Sequence, residues 1–409
     1  MKLFRYPLYL FIVLLIAGCG ASKKFTDNEK NDFYYEDNSS IIRVLIDEKQ
    51  DSFFYTSDEP VILKDESKTI IKISNGDKIQ FKAEGNKVRS IAGNKDYFSK
   101  SFEIIAEDKM PVSLNEKNYK GSFRIAGRNN KIQVINIVAL EEYLKGVVPS
   151  EMPVGKGTDN YEALRAFSIC ARTYAVRKLN SNNNYDIYGD TRDQVYNGQG
   201  SERTLSNKAI KETRGLILTY ENAPAIIFYS STCGGFTEEG ANVFSVKNAP
   251  YLQSIKDGDE PLCSISPKFA WMEFYAASEF VQRLRAVGLV TGFAWKLDSI
   301  NVNSRFKSGR VNELQFTLKD DENQVKIVKI NGNNIRNIIR SGDNSTILNS
   351  TLFDIRKDEN GNVTIIGRGY GHGVGLCQYG AINLSRMGKD YNYILSHYYP
   401  GTKVTRYYD

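Results

Sequence analysis

Along this chain of 409 residues the hydrophobic and polar positions change rhythm twice. From residue 41 to 138 the period is short. Ile41-Ile42-Arg43-Val44-Leu45-Ile46 is an apolar run, and Ile70-Ile71-Lys72-Ile73 and residues 123–136 contain alternation. Asn75-Gly76 and Asn129-Asn130 mark turns between such runs. Successive side chains of a strand point to opposite faces, so this rhythm predicts several antiparallel strands. Helical spacing then takes over. A short helix is expected over 139–147 and a stronger one from Tyr161 onward. Asp159 and Glu162 stand in the capping-box arrangement before it. Leu164, Phe167, Ala171, Tyr174 and Ala175 recur at three- and four-residue steps and form the stripe expected to be buried. Arg165 and Arg172, seven residues apart, share another side. Strand signals return at 216–220, at 225–230, and over 301–330 around a turn at Asp321-Glu322-Asn323. Residues 278–287, 378–387 and 391–398 read as helices. Strands and helices come in blocks rather than in regular βαβ alternation, which predicts an α+β fold.

The first forty residues follow neither rhythm. Lys2 and Arg5 precede an apolar run of about ten residues, which is too short to span a bilayer. It ends in Leu15-Ile16-Ala17-Gly18-Cys19, the pattern of a bacterial lipoprotein signal. In such a signal the cysteine is acylated and becomes the new N-terminus, and several acyl chains on one residue hold a protein to a membrane stably. Residues 1–19 are therefore expected to be a signal peptide with Cys19 as the lipidation site. Residues 20–40 are polar, without apolar period, and read as a flexible tether. This predicts an exported lipoprotein of the cell envelope, held to a membrane through its N-terminal lipid. A strand-rich region over 41–115 would follow.

Composition changes the picture little. Lys and Arg total 54 against 48 Asp and Glu, a net charge of +6 spread without runs. That balance suits an anionic wall polymer or a membrane surface. No zinc-finger spacing or other nucleic-acid motif occurs, and no nucleic-acid partner is expected. Of the five cysteines, Cys19 is assigned to lipid. Cys233 and Cys263 both lie in loop-like sequence and are the expected disulfide of an oxidising compartment. Cys170 falls on the apolar side of a predicted helix and reads as a small buried hydrophobe.

Three segments carry candidate chemistry. In the first, Glu151 lies between Pro149 and Pro153. Prolines fix φ and restrict the residue before them, which predicts a carboxylate held on a stiff connector. Val147, Val148 and Met152 would desolvate it and raise its pKa, as a general acid near neutral pH requires. A solvated loop glutamate is the plainer reading of this segment alone. In the second, residues 367–375, glycine falls at every second position. An extended segment would turn all five glycines to one side and Arg368, Tyr370, His372 and Val374 to the other. His372 and His397 are the chain's two histidines. The third, residues 230–238, is packed with hydroxyls and glycines. It suits sugar binding by hydroxyls and backbone N–H groups as well as it suits a structural loop.

Together these segments resemble the SpoIID/LytB family of cell-wall proteins. The matches are Glu142-Tyr143-Leu144-Lys145-Gly146-Val147-Val148 with Glu151-Met152-Pro153, then Glu162-Ala163-Leu164-Arg165-Ala166 with Ala171-Arg172-Thr173-Tyr174-Ala175. Gln194-Val195-Tyr196 follows, then Ser231-Thr232-Cys233-Gly234-Gly235 with Thr237-Glu238. The stretch 367–380 closes the set with His397-Tyr398-Tyr399-Pro400-Gly401. The resemblance makes 116–409 a peptidoglycan-acting domain and implies a lytic transglycosylase. Such an enzyme cuts the bond between N-acetylmuramic acid and N-acetylglucosamine without water and leaves 1,6-anhydro ends. Glu151 matches the family's catalytic glutamate. Arg172 matches its helix arginine, expected to bind substrate or hold the acid. Tyr196, Ser231, His372 and Gln378 are the further groove candidates. The implied partners are peptidoglycan glycan strands and other cell-wall hydrolases, with no cofactor and no metal. Some relatives are described as activators of wall amidases, so a glycan-binding or amidase-activating module without cutting is the alternative.

The chain also departs from the family's pattern. Some members carry a Cys/His zinc cluster just ahead of Gln-Val-Tyr. Residues 180–193 here contain no Cys or His, so no zinc is expected there. Cys377 stands where serine is more usual, and Tyr229 where histidine often is. Nothing in the sequence points to sporulation.

Overall fold

The structure, a computed structural model, describes residues 40–409 apart from 49–50, 57–58, 67–69, 107–109, 115, 180–182 and 293. The signal, Cys19 and the tether up to residue 39 lie outside the described residues. The fold is α+β, as the blocks of strand and helix predict.

The short-period region builds a sheet in the order Ile187–Tyr188, Ile41–Asp47, Lys131–Ala139, Ser122–Arg128, Ser101–Ala106, Val61–Asp65, Ile70–Ile73. Neighbours run antiparallel except Ile187–Tyr188, which lies parallel to Ile41–Asp47. The Ser122–Arg128 and Lys131–Ala139 strands form a hairpin through Asn129 and Asn130, both at positive φ. That is the conformation a tight two-residue hairpin turn demands, and asparagine tolerates it. Ile42, Val44, Leu63, Ile104, Phe123 and Ile125 are fully buried. A second sheet, Ser52–Thr56, Lys78–Glu84, Lys87–Ala92 and Lys95–Ser99, adds Tyr55, Ile79, Phe81 and Val88 to the same core. Strands from both sides of residue 115 thus share the first sheet, with Ile41–Asp47 paired along Lys131–Ala139.

Lys131–Ala139 runs directly into the first helix, Leu140–Glu151. This helix outlasts its expected end at 147 because it continues through Pro149. A proline in the last turn forfeits one backbone hydrogen bond, and its fixed φ is already helical. Ser150 Oγ donates to the Gly146 carbonyl at 2.7 Å and the Met152 N–H to the Val148 carbonyl at 3.0 Å, so the turn closes. Glu151 is therefore the last helical residue, not part of a connector.

The second helix, Tyr161–Lys178, is buried on nearly every side. Leu164, Phe167, Ala171 and Ala175 are buried as their spacing predicts, and so are Ala163, Ala166, Ile169, Cys170 and Arg172. A helix enclosed in this way is a central strut rather than a surface helix with one apolar stripe. Each such Leu or Phe contributes about 1.5–3 kcal/mol by leaving water. The expected capping box is absent. Asn160 is the N-cap and makes no side-chain cap bond. Glu162 instead accepts the N–H of Tyr391 at 2.9 Å, and so serves the unpaired start of the Tyr391–Tyr398 helix.

A second hydrophobic core gathers Tyr275, Phe280, Leu284, Val311, Leu314, Phe316, Ile335, Phe353, Val363 and Ile365. It sits between the sheet Ala270–Tyr275, Val363–Arg368, Phe353–Lys357 and the meander Lys296–Arg305, Val311–Lys319, Val325–Asn331. The expected strand block over 301–330 is this meander. Its first turn, at 306–310, and the helix Asn334–Ile339 are not among the expected elements, although Ser308-Gly309 is a turn signal. The chain then returns to the first core through Val374, Leu376 and the helices Gln378–Arg386 and Tyr391–Tyr398.

Candidate functional site

Glu151 is carried to its place by a buried strand and the helix that grows from it. Its side chain is half-buried, above the fully buried Met152. Oε1 accepts the backbone N–H of Val195 at 2.6 Å. No other donor reaches the carboxylate among the described residues. Burial raises its pKa above the ordinary 4.5, and the Val195 N–H offsets that only in part. Its backbone carbonyl accepts Gln378 Nε2 at 2.7 Å. Three segments distant in sequence therefore meet on one residue: the first helix, Gln194-Val195-Tyr196, and the start of Gln378–Arg386.

Three tyrosines stand near enough to feel the charge of this carboxyl. The phenols of Tyr143, Tyr174 and Tyr229 are pushed up by burial first and, among smaller causes, by the Glu151 charge. Gln194, fully buried, accepts from Tyr143 Oη at 3.2 Å and donates to Tyr229 Oη at 3.3 Å. Asp193, next to Gln194 in the chain, is engaged by Tyr174 Oη, the Tyr188 N–H and Lys178. Gln194 and this tyrosine set escaped sequence reasoning as individuals. The Gln-Val-Tyr tripeptide was their signal, and the Val195 N–H is a backbone group that no side-chain pattern reveals.

The other predicted residues divide. Gln378 touches Glu151 directly. Ser231 is half-buried; its hydroxyl lies 3.2 Å from Thr232 Oγ1 and its carbonyl accepts the Tyr379 N–H at 3.1 Å, one residue beyond Gln378. Arg172 corrects the expectation of a groove arginine. It is fully buried, with Nε and Nη2 on the Glu141 carboxylate at 2.7 and 2.9 Å. It also donates to the carbonyls of Leu216, Ile210 and Ser168, and Tyr408 Oη donates to the same glutamate. Tyr196 is likewise internal. Its hydroxyl donates to Asn136 Oδ1 at 3.1 Å and its ring packs on Tyr119 and Tyr143.

The glycine-rich stretch is not extended. Gly367 still lies in the Val363–Arg368 strand, but Gly369, Gly371, Gly373 and Gly375 all adopt positive φ. The two-residue period thus records repeated left-handed turns, not one bare face. A Cβ on Gly373 would fall 2.2 Å from Arg310 Nη2, and one on Gly375 2.1 Å from the Phe228 carbonyl oxygen. The backbone here threads between its neighbours. His372 is half-buried, packed edge-on against Phe244, and its Nδ1 accepts the Val374 N–H at 3.0 Å. Burial, then Arg336 and Arg310, pushes its pKa down to about 3, so the ring is neutral. His397 is also pushed down by burial.

Cys233 and Cys263 do meet, but their sulfurs stand 3.6 Å apart as separate thiols. Cys377 joins them. Cys170 is fully buried, and burial pushes its thiol up to about 12. A cleft of about 750 Å³ opens between Gly234-Gly235 and the second core, with Lys256, Arg305, Lys307 and Arg368 on its walls. Glu151 is not among its lining residues.

The comparisons with known proteins fall on this same geometry. A family described as Stage II sporulation protein matches residues 128–220, the span that holds the Glu151 helix, the central helix and Gln194-Val195-Tyr196. Stage II sporulation protein D of Bacillus subtilis is 34% identical over 321 residues, 74% of this chain and 85% of that protein. The chain belongs to the SpoIID/LytB family. An uncharacterized protein of Brachyspira hyodysenteriae is 31% identical over 308 residues, 74% of this chain and 77% of that one. The amidase enhancer of Bacillus subtilis is 28% identical over 336 residues; the match covers 72% of this chain but 45% of that protein. A second family, described as a domain of unknown function (DUF8618), matches residues 265–375, the unit around the second core.

Proposed function

We propose that this SpoIID/LytB family member is a peptidoglycan lytic transglycosylase with Glu151 as its acid and base. A cell-wall-related role follows from the family. The finer reading rests on one observation: a desolvated carboxyl with a raised pKa, one oxygen held by the Val195 N–H and the other without a protein donor among the described residues. Such a group holds a proton to higher pH than a solvated glutamate and can give it to a leaving glycosidic oxygen. Hydrolysis of this bond ordinarily needs a second, free carboxylate. Asp193, which its three partners engage, is poorly suited to that part. In the transglycosylase the muramic acid's own 6-hydroxyl is the nucleophile. The C1–O bond breaks with transfer of the Glu151 proton to the leaving oxygen. The Glu151 carboxylate then takes the 6-hydroxyl proton as the new O6–C1 bond closes the 1,6-anhydro ring. Acid and base are restored, and no water is consumed. Gln378 and Ser231 are the proposed glycan contacts, and other cell-wall hydrolases the proposed partners. Export and a lipid on Cys19 complete the proposal, carried by the sequence of residues 1–19.

The second reading is an amidase-activating module without cutting, favoured by the amidase enhancer among the relatives. Mass spectrometry of glycan products separates the two. The full chain, whose intact mass reports acylation at Cys19, is incubated with intact and with peptide-stripped peptidoglycan. Anhydromuramic ends made by the wild type and lost in Glu151→Gln are the expected outcome. Reducing ends would mean hydrolysis. Binding without cleavage of either substrate would favour the activator.

A further inference from the structure

Three thiols and a carboxylate converge within the first core. Cys233 lies just past the Tyr229–Ser230 strand, and Cys263 in the single turn Leu262–Ile265. Cys377 ends the Leu376–Cys377 strand, and Asp257 precedes the turn. All four are fully buried, and one ligand atom from each lies within 4.8 Å of the others. The Cys233 N–H donates to Cys377 Sγ at 3.2 Å. Asp257 accepts the Cys263 N–H at 3.0 Å and the Tyr398 hydroxyl at 2.6 Å.

Spacing distinguishes the uses such a cluster can have. A disulfide would bring two sulfurs to about 2.0 Å. Two thiolates on one tetrahedral zinc, at about 2.3 Å from the metal, stand about 3.8 Å from each other. The Cys233 and Cys263 sulfurs are 3.6 Å apart. The count points the same way. A Cys233–Cys263 disulfide would leave Cys377 buried against it as an odd thiol, the arrangement that exchanges. Charge agrees too. Burying four acidic groups without a counter-charge is costly. Arg310, buried beside them, donates to the carbonyls of Cys233 at 2.6 Å and Phe236 at 2.9 Å. It faces the negative excess that three thiolates and a carboxylate leave around a divalent ion.

The geometry points to a structural zinc site formed by Cys233, Cys263 and Cys377 with Asp257 as the fourth ligand. Thiolate-rich tetrahedral sets select zinc among common divalent ions, and four protein ligands leave no position for substrate. Binding releases the three thiol protons to solvent. The ion would tie together the loop after Ser231, the turn at Leu262–Ile265 and the residue before Gln378. It is a brace behind the Glu151–Gln378 contact, and it revises the expectation of a metal-free chain.

The test is metal content, with no peptidoglycan involved, so it stands apart from the proposed cleavage. The full chain is purified in detergent through a tag without histidines, and zinc is measured by plasma mass spectrometry. About one zinc per chain is expected, falling severalfold in Cys263→Ser and in Asp257→Asn. Should either variant fail to fold, the cobalt-exchanged wild type carries the test through its thiolate-to-cobalt charge-transfer bands. Wild type with little zinc and no such bands overturns the site. A linked Cys233–Cys263 peptide in a non-reduced digest of the purified chain overturns it as well.

Discussion

Glu151 gains one hydrogen bond in the fold and loses most of its water. Its folded pKa lies above the 4.5 of an ordinary glutamate. Between those two values the folded chain keeps a proton that the unfolded chain has released. Stability contributed by this residue therefore falls as pH rises through that window. Glu151→Gln removes the slope, and its amide oxygen can still accept the Val195 N–H. Thermal melts from pH 4 to 8 should show Glu151→Gln as stable as the wild type or more so above the window. Cutting should meanwhile drop by about two to four orders of magnitude. A variant that loses cutting only because it unfolds would contradict the assignment. Arg172 behaves oppositely. Arg172→Ala leaves the Glu141 carboxylate buried with only Tyr408 to serve it, at a cost of about 3–5 kcal/mol. Urea unfolding should register that loss, whereas a change confined to KM would return Arg172 to the glycan site. The sequence told the types of these two residues better than their surroundings. Seven-residue spacing places Arg172 off the main stripe, but spacing cannot say which side meets water when a helix is enclosed on all of them.

Elements were legible where local chemistry governs them. The Asn129-Asn130 hairpin, the Leu216–Tyr220 strand and the Tyr391–Tyr398 helix follow from turn residues and period. Reading failed where a distant partner decides. Glu162 had the spacing of a cap for its own helix, yet the Tyr391 N–H, 229 residues on, takes its carboxylate. The alternating glycines had the period of a strand, yet four of them answer to close neighbours at positive φ. The first helix offers a test of such packing. A Cβ on Gly146 would sit 2.5 Å from the Tyr196 ring and 3.1 Å from the Gly198 carbonyl. In mid-helix, alanine normally stabilises relative to glycine by roughly 0.5–1 kcal/mol. Here Gly146→Ala should instead destabilise by about 1–3 kcal/mol through overpacking. A denaturation midpoint equal to or above wild type would show that Tyr196 yields easily.

At the scale of the whole molecule, two cores are joined by a chain that leaves the first near residue 270 and returns to it near 374. The parallel pairing of Tyr229–Ser230 with Leu376–Cys377 closes that excursion. It also brings Gln378 back to Glu151, 227 residues away. Contacts so distant in sequence form late, because the intervening chain must be gathered first. Synthesis runs from the N-terminus, so Glu151 is made well before the glutamine that holds its carbonyl. A growing chain therefore carries Glu151 without its finished surroundings, and the chemistry proposed for it waits on Gln378 and the residues after it. Under the activity proposed for this cell-wall-related protein, the order of assembly is itself a safeguard.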